Sequence, residues 1–302
     1  MRSESPHEET PPDVSPDDLT PDGEVIPAVA LKTSRAGRNL PASIAVGVAL
    51  VAMVVLSLFV VKEAFIAVVA VALAIGLFEL ARAFGTARIA LPVLPVATGG
   101  TLMLIGAYFG SMETASIAMA LTVLGTMVWR LSDGAEGFVR DVTSGVFCLS
   151  YLYLMGTFVL LMLKEDDGAW RIVAFIVATI ASDIGGYVAG VLFGRHPMAP
   201  TISPKKSWEG FAGSLLFGIG TGIATVTYAL DGDWWVGIVL GVAGVVFATL
   251  GDLSESLIKR DLGIKDMGDL LPGHGGLMDR LDSLIAVAPV CWLILFTLVP
   301  VT

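Results

Sequence analysis

Asp252, Glu255, Ser256 and Lys259 are spaced i, i+3, i+4 and i+7, which puts all four on one face if the segment is helical. Two acids, a hydroxyl and an ammonium then share one stripe of a largely apolar helix, and a purely structural helix has no use for such a stripe. The chain continues through Arg260, Lys265 and Asp266 into Pro272-Gly273-His274-Gly275-Gly276. Asp279, Arg280 and Asp282 follow, the two aspartates again at i and i+3. Carboxylates without a His–Cys cluster favour a hard cation such as Mg²⁺, which takes one or two carboxylates and leaves its other positions to water and phosphates. Lys259, Arg260, Lys265 and Arg280 can neutralise phosphate oxygens, and a glycine-rich loop lets backbone approach an anion closely. These are the parts for phosphoryl or nucleotidyl transfer. An acid–base stripe could also be a transporter's ion site, although the dense basic and acidic loop fits that less well.

Two further polar segments precede this one. In Ser182-Asp183-Ile184-Gly185-Gly186-Tyr187, Asp183 lies inside an apolar run with no basic residue nearby in sequence. An ionisable group at membrane depth usually faces a cavity or a partner. Tyr187 follows at i+4 on the same helix face. The plainer alternative is a structural aspartate bonded to neighbouring hydroxyls. In Ser203-Pro204-Lys205-Lys206-Ser207-Trp208-Glu209-Gly210 a loop passes into a helix. Its two lysines stand where free backbone N–H groups also favour phosphate, or they merely anchor the membrane topology.

The elements that must position these residues are membrane helices. Apolar residues make up 55% of the 302 and charged residues 15%, against about 25% charged in soluble domains. Long uncharged runs recur from Ala42 onward, each near the length a helix needs to cross the bilayer core. Nine spans are predicted, at approximately 41–61, 64–81, 89–110, 114–130, 142–163, 170–193, 210–230, 234–258 and 283–301. Pro92 and Pro95 break or kink the start of the third, and a turn at Lys62–Glu63 joins the first two. With the N-terminus cytoplasmic, 15 Lys and Arg fall inside and 3 outside (Lys62, Lys164 and Arg171), as the positive-inside rule requires. The fold class is therefore an all-α polytopic membrane protein. Small residues spaced by four (Gly186, Gly190 and Gly194; Ser214, Gly218 and Gly222; Gly237 and Gly241) let helices approach closely, either within one chain or in a homodimer. Cys148 and Cys291 form no metal or disulfide pattern and are read as packing residues. Eight acids and five prolines fall in the first 24 residues, so 1–38 reads as a disordered cytoplasmic tail. Residues 39–169 then form N-terminal membrane helices, and 170–302 the catalytic region.

The run from Ser256 to Asp282 resembles the signature of the phosphatidate cytidylyltransferase family: a serine, a Lys-Arg pair, a Lys-Asp pair, Pro-Gly-His-Gly-Gly, Asp-Arg and a final aspartate. The Ser182 and Ser203 segments resemble that family's upstream motifs. The likeness is close over roughly 170–285; the acidic tail is not part of it. The resemblance implies that CTP and phosphatidate give CDP-diacylglycerol and diphosphate, with Mg²⁺ required and K⁺ as a second cation. It implies Asp252 and Asp279 as metal ligands, with Asp183, Glu255, Lys259, Arg260, Lys265, Asp266, His274, Arg280 and Asp282 around them. Ser203, Lys205, Lys206, Tyr187, Gly273, Gly275 and Gly276 are candidate substrate-binding positions. His274 is read as a loop donor to phosphate rather than a base. The site is expected at the cytoplasmic edge of the inner membrane, with the lipid bilayer and not nucleic acid as partner. A CTP-using polyprenol kinase and an ion-coupled transporter are the competing readings.

Overall fold

A computed structural model describes residues 40–268 and 276–301. Residues Asn39–Thr302 form one compact unit; the expected tail at 1–38 lies outside the described residues. The helices are α1 Leu40–Phe59, α2 Lys62–Thr86, α3 Val93–Phe109, α4 Met112–Leu131, α5 Phe138–Cys148, α6 Met155–Lys164, α7 Gly168–Phe193, α8 Trp208–Ala229, α9 Trp234–Asp261 and α10 Met278–Leu298. A π-helical turn, Leu149–Leu154, joins α5 to α6 without a break. Seven of the described helices are long and apolar enough to cross a membrane: α2, α4, the α5–α6 rod and α7 to α10. The apolar stretches Gly47–Phe59 and Val93–Phe109 are shorter. The all-α polytopic class holds, with seven such helices among the described residues against the nine spans expected; Gly47–Phe59 is the fully described part of the 20-residue α1.

Large apolar side chains face outward all around the bundle, among them Val51 (64% exposed), Val128 (65%) and Leu216 (72%). Apolar chains exposed to this extent belong against lipid. Inside, Leu73, Leu77 and Leu80 of α2 meet Met103 and Leu104 of α3, Leu152 and Tyr153 of the π turn, and Leu160 of α6 in one buried core.

The boundaries depart from the sequence reading where polar contacts intervene. The break between α1 and α2 falls at Val60–Val61 rather than Lys62–Glu63. Lys62 opens α2, and its Nζ donates to the carbonyls of Glu165 and Asp166 at 3.1 Å each. Pro92 breaks the start of the third span, as expected, and that span opens after it rather than at 89. The helix begins at Val93, so Pro95 falls in the first turn, where a missing N–H costs nothing. An antiparallel hairpin, β1 Pro197–Ala199 with β2 Ser203–Ser207, precedes α8, where a plain loop was expected. Its last residue caps α8: Gly210 N donates to Ser207 Oγ at 3.1 Å.

Helix α10 starts at Met278, earlier than the expected 283, and is held at both ends by buried charge. At its N-terminus the carboxylate of Glu79 accepts the N–H groups of Leu277 and Met278 at 3.0 and 2.7 Å. At its C-terminus Arg171 donates to the carbonyls of Leu295 and Val299 at 2.8 and 3.0 Å, while its Nε pairs with Asp167 at 2.6 Å. Acid at the positive end of the helix dipole and base at the negative end satisfy groups that lipid cannot.

The glycine ladders work within the chain. Ser214 Oγ donates to Ser182 O at 2.8 Å, locking α8 onto α7, and Gly222 of α8 abuts the carbonyl of Gly237 on α9. A side chain at 222 must push those backbones apart. Gly222→Val is therefore expected to destabilise the protein by about 1–3 kcal/mol. Gly220→Val on the same helix, with open space around it, is the control. Thermal denaturation in detergent should give a clearly lower midpoint for the first variant than for the second; equal midpoints would refute the packing.

Candidate active site

The C-terminal half of α7, the hairpin, the end of α9 and the start of α10 enclose a cavity of about 460 Å³. Helix α7 contributes Asp183 and Tyr187, and β2 contributes Ser203, Lys205 and Lys206. Asp252 and Lys259 come from α9, and Asp279, Arg280 and Asp282 from α10. Three polar segments far apart in sequence thus meet in one place. They do so because α9 and α10 approach closely at Gly251, where a Cβ would lie 2.6 Å from Asp282 O and 2.7 Å from Ala286 Cβ. Any larger residue there would separate Asp252 from the first turns of α10.

Each expected metal carboxylate carries a lysine. Lys206 Nζ lies 2.5 Å from Asp252 Oδ2, and Lys259 Nζ lies 2.8 Å from Asp279 Oδ1. Ser256 Oγ adds a long contact to Asp252 Oδ1 at 3.4 Å. The other oxygen of Asp279 accepts from Met267 N and Gly276 N, both at 3.2 Å. Asp282 Oδ1 accepts from Ser283 N at 2.6 Å. The i, i+3, i+4, i+7 stripe is confirmed as one helical face, but its members reach different depths. Glu255 is fully buried and does not line the cavity; Lys259 Nζ stands 3.5 Å from its Oε2. Its carboxyl group faces that of Asp282, and among the described residues neither oxygen has a hydrogen-bond donor.

Other expected positions lie apart from the cavity. Arg260, Lys265 and Asp266 are exposed and outside its lining, because the chain leaves α9 at Asp261 and turns through Gly263 with φ +68°. Gly276 is also outside the lining and contributes its N–H to Asp279 instead. Gly273, His274 and Gly275 lie outside the described residues.

The donor set fits a Mg²⁺ ion. Two carboxylates, Asp252 and Asp279, line one cavity beside several cations. Mg²⁺ typically takes one or two carboxylates and leaves its other positions to water and phosphates. Sequence reasoning missed Glu79, which is 3% exposed and bonds to the start of α10. The signal was weaker than at Asp183: Glu79 is an acid in an apolar run, but Arg82 stands three residues on.

The profile of the Cytidylyltransferase family matches residues 42–298. The chain is 42% identical over 285 residues to the phosphatidate cytidylyltransferase of Mycobacterium bovis, covering 90% of this chain and 92% of the relative. It is 41% identical to that of Mycobacterium leprae, over 89% and 91% of the two chains. To that of Pseudomonas aeruginosa it is 32% identical, over 67% of this chain and 92% of the relative. With Lys259, Asp279, Arg280 and Asp282 of the signature lining one cavity and the family match running through the membrane helices, this chain belongs to the cytidylyltransferase family.

Proposed function

We infer that this protein is a phosphatidate cytidylyltransferase, forming CDP-diacylglycerol and diphosphate from CTP and phosphatidate. The observation that carries this reading is the cavity itself: four carboxylates, three lysines and an arginine at one end of a membrane bundle, in a chain so similar to proteins of that name. A phosphate oxygen of the lipid attacks the α-phosphorus of CTP. The new P–O bond forms as the bond between the α-phosphorus and its bridging oxygen breaks, and diphosphate leaves with that electron pair. A divalent cation held by Asp252 and Asp279 would neutralise charge on the nucleotide phosphates. Lys259, Lys206 and Arg280 place fixed positive charge along the same wall, where developing negative charge is stabilised without reorganisation. Lys205 and Lys206, on a hairpin strand, are placed to capture an incoming anion. The phosphate nucleophile is already ionised at neutral pH, so no general base is required.

The catalytic residues belong to the region 170–302, on the cytoplasmic side of the inner membrane. The three cations assigned outside, Lys62, Lys164 and Arg171, all bind backbone carbonyls. Arg171 does so at the C-terminal end of α10, opposite the cavity, which supports that sidedness. K⁺ as a second cation rests on the resemblance alone. A homodimer would have to use faces other than the glycine positions already packed within the chain.

CTP labelled at the α- or γ-phosphate tests the reading. In inverted membrane vesicles with phosphatidate, the α-label should enter the lipid and the γ-label should appear in diphosphate. Sealed right-side-out vesicles should be inactive until permeabilised. Transfer of γ-label to lipid would indicate a kinase, and activity in sealed right-side-out vesicles would reverse the orientation.

A further inference from the structure

We propose that Glu79, on α2 and outside the signature region, is a positioning residue for the transfer reaction: it holds the first turn of α10 and so fixes the place of Asp279. The proposal rests on the cytidylyltransferase reading above. Glu79 is buried, 3% exposed. Its two oxygens divide the work, Oε1 accepting from Leu277 N at 3.0 Å and Oε2 from Met278 N at 2.7 Å. Asp279, the next residue, takes Met267 N and Gly276 N on its Oδ2 and Lys259 on its Oδ1. Two neighbouring carboxylates therefore gather the backbone on both sides of the glycine-rich segment.

The glycines show how tight this junction is. A Cβ at Gly268 would lie 2.6 Å from Glu79 Oε1, and one at Gly276 would lie 3.0 Å from Glu79 Oε2, 2.8 Å from Asp279 Oδ2 and 2.9 Å from Gly268 N. Gly268, Gly276 and both carboxylates thus meet with no room for a side chain. A carboxylate buried here is compensated by the N-terminal N–H groups of α10, which carry the positive end of the helix dipole. Without it those groups face a low-dielectric interior unpaired. The first turn of α10 would then be free to tilt, and Asp279 would move with it. A group that orients a ligand in this way typically accounts for 10–100-fold in metal affinity or activity.

The test uses full-length protein carrying Glu79→Gln, which keeps the size and one acceptor oxygen, and Glu79→Ala. Three quantities are read: kcat with its Mg²⁺ dependence, Mn²⁺ binding to nucleotide-free protein by electron paramagnetic resonance, and amide hydrogen exchange at 276–281. For Glu79→Gln we expect kcat about 10–100-fold lower, a raised half-saturating Mg²⁺, weaker Mn²⁺ binding and faster exchange at Leu277 and Met278. Glu79→Ala should move every readout further in the same direction. Unchanged exchange with unchanged Mn²⁺ binding in the Gln variant overturns the proposal. So does a drop in thermal stability with normal kcat and Mg²⁺ dependence per folded molecule, since that is a structural cap only. If the wild type transfers no cytidylyl group, the functional reading fails; exchange and Mn²⁺ binding still decide the role of Glu79. A variant that does not accumulate in the membrane is replaced by Glu79→Asp, whose shorter reach should reproduce the same shifts in weaker form; wild-type values there also count against the proposal.

Discussion

An Asp279→Ala protein is expected to retain no more than about a thousandth of wild-type turnover. Asp279 serves two functions through its two oxygens. Oδ1 holds Lys259 at 2.8 Å, and the carboxylate lines the same cavity as Asp252. Oδ2 accepts two backbone N–H groups, from Met267 and Gly276. Truncation removes half of the proposed metal donors, leaves an ammonium without its nearest anion and unpairs two N–H groups. The stability cost should be about 2 kcal/mol, at roughly 1 kcal/mol for each backbone hydrogen bond lost. Asp252→Ala provides the contrast. Asp252 contacts the mobile groups Lys206 Nζ and Ser256 Oγ rather than backbone, and its side chain is 36% exposed. It should lose turnover to a similar extent while melting close to wild type. Activity assays paired with thermal denaturation check both. Normal turnover in either variant would contradict the assigned metal role, and equal melting of the two would contradict the second function of Asp279.

Lys259→Met is expected to be the next most damaging change, in stability as well as activity. Lys259 is 16% exposed and lies between Asp279 at 2.8 Å and Glu255 at 3.5 Å. Both oxygens of Glu255 are buried without a hydrogen-bond partner among the described residues. Lys259 lies beside that buried carboxyl and is the ion-pair partner of Asp279; removing it costs about 3 kcal/mol or more, because the acids around it lose a counter-charge. Adding Glu255→Gln should recover part of that stability, since a neutral amide needs no counter-charge. It should not recover turnover if Lys259 also meets the substrate phosphates across the cavity. Melting temperature and kcat of the two single variants and the double variant form the measurement. Recovery of both quantities together would mean that Lys259 acts only as the counter-ion of Glu255.

Much of the site was legible before any coordinates. The stripe Asp252, Glu255, Ser256 and Lys259 is set by helical periodicity, which is local, and an uninterrupted apolar flank made the helix certain to form. The i, i+3 pair of Asp279 and Asp282 was placed near the start of the last helix for the same reason. The hairpin at 197–207 was not legible: two short strands with Pro197, Pro204 and two lysines carry no alternating apolar pattern, and only their mutual pairing makes them strands. The start of α10 was missed because its N-terminal N–H groups are satisfied by Glu79, nearly two hundred positions earlier in the chain.

By itself the sequence determined that this protein lives in a bilayer, which polar residues interrupt its apolar helices, and how those residues are spaced along their own helices. Local periodicity and charge are written residue by residue and need no partner to be read. Tertiary structure decided which of them share a cavity. It brought Lys206 to Asp252 and Lys259 to Asp279, left Arg260, Lys265 and Asp266 outside, and recruited Glu79 from the second helix. Those outcomes depend on how closely α9 can lie against α10 at Gly251 and where α2 meets the start of α10, and such distances between helices have no local signature in the chain.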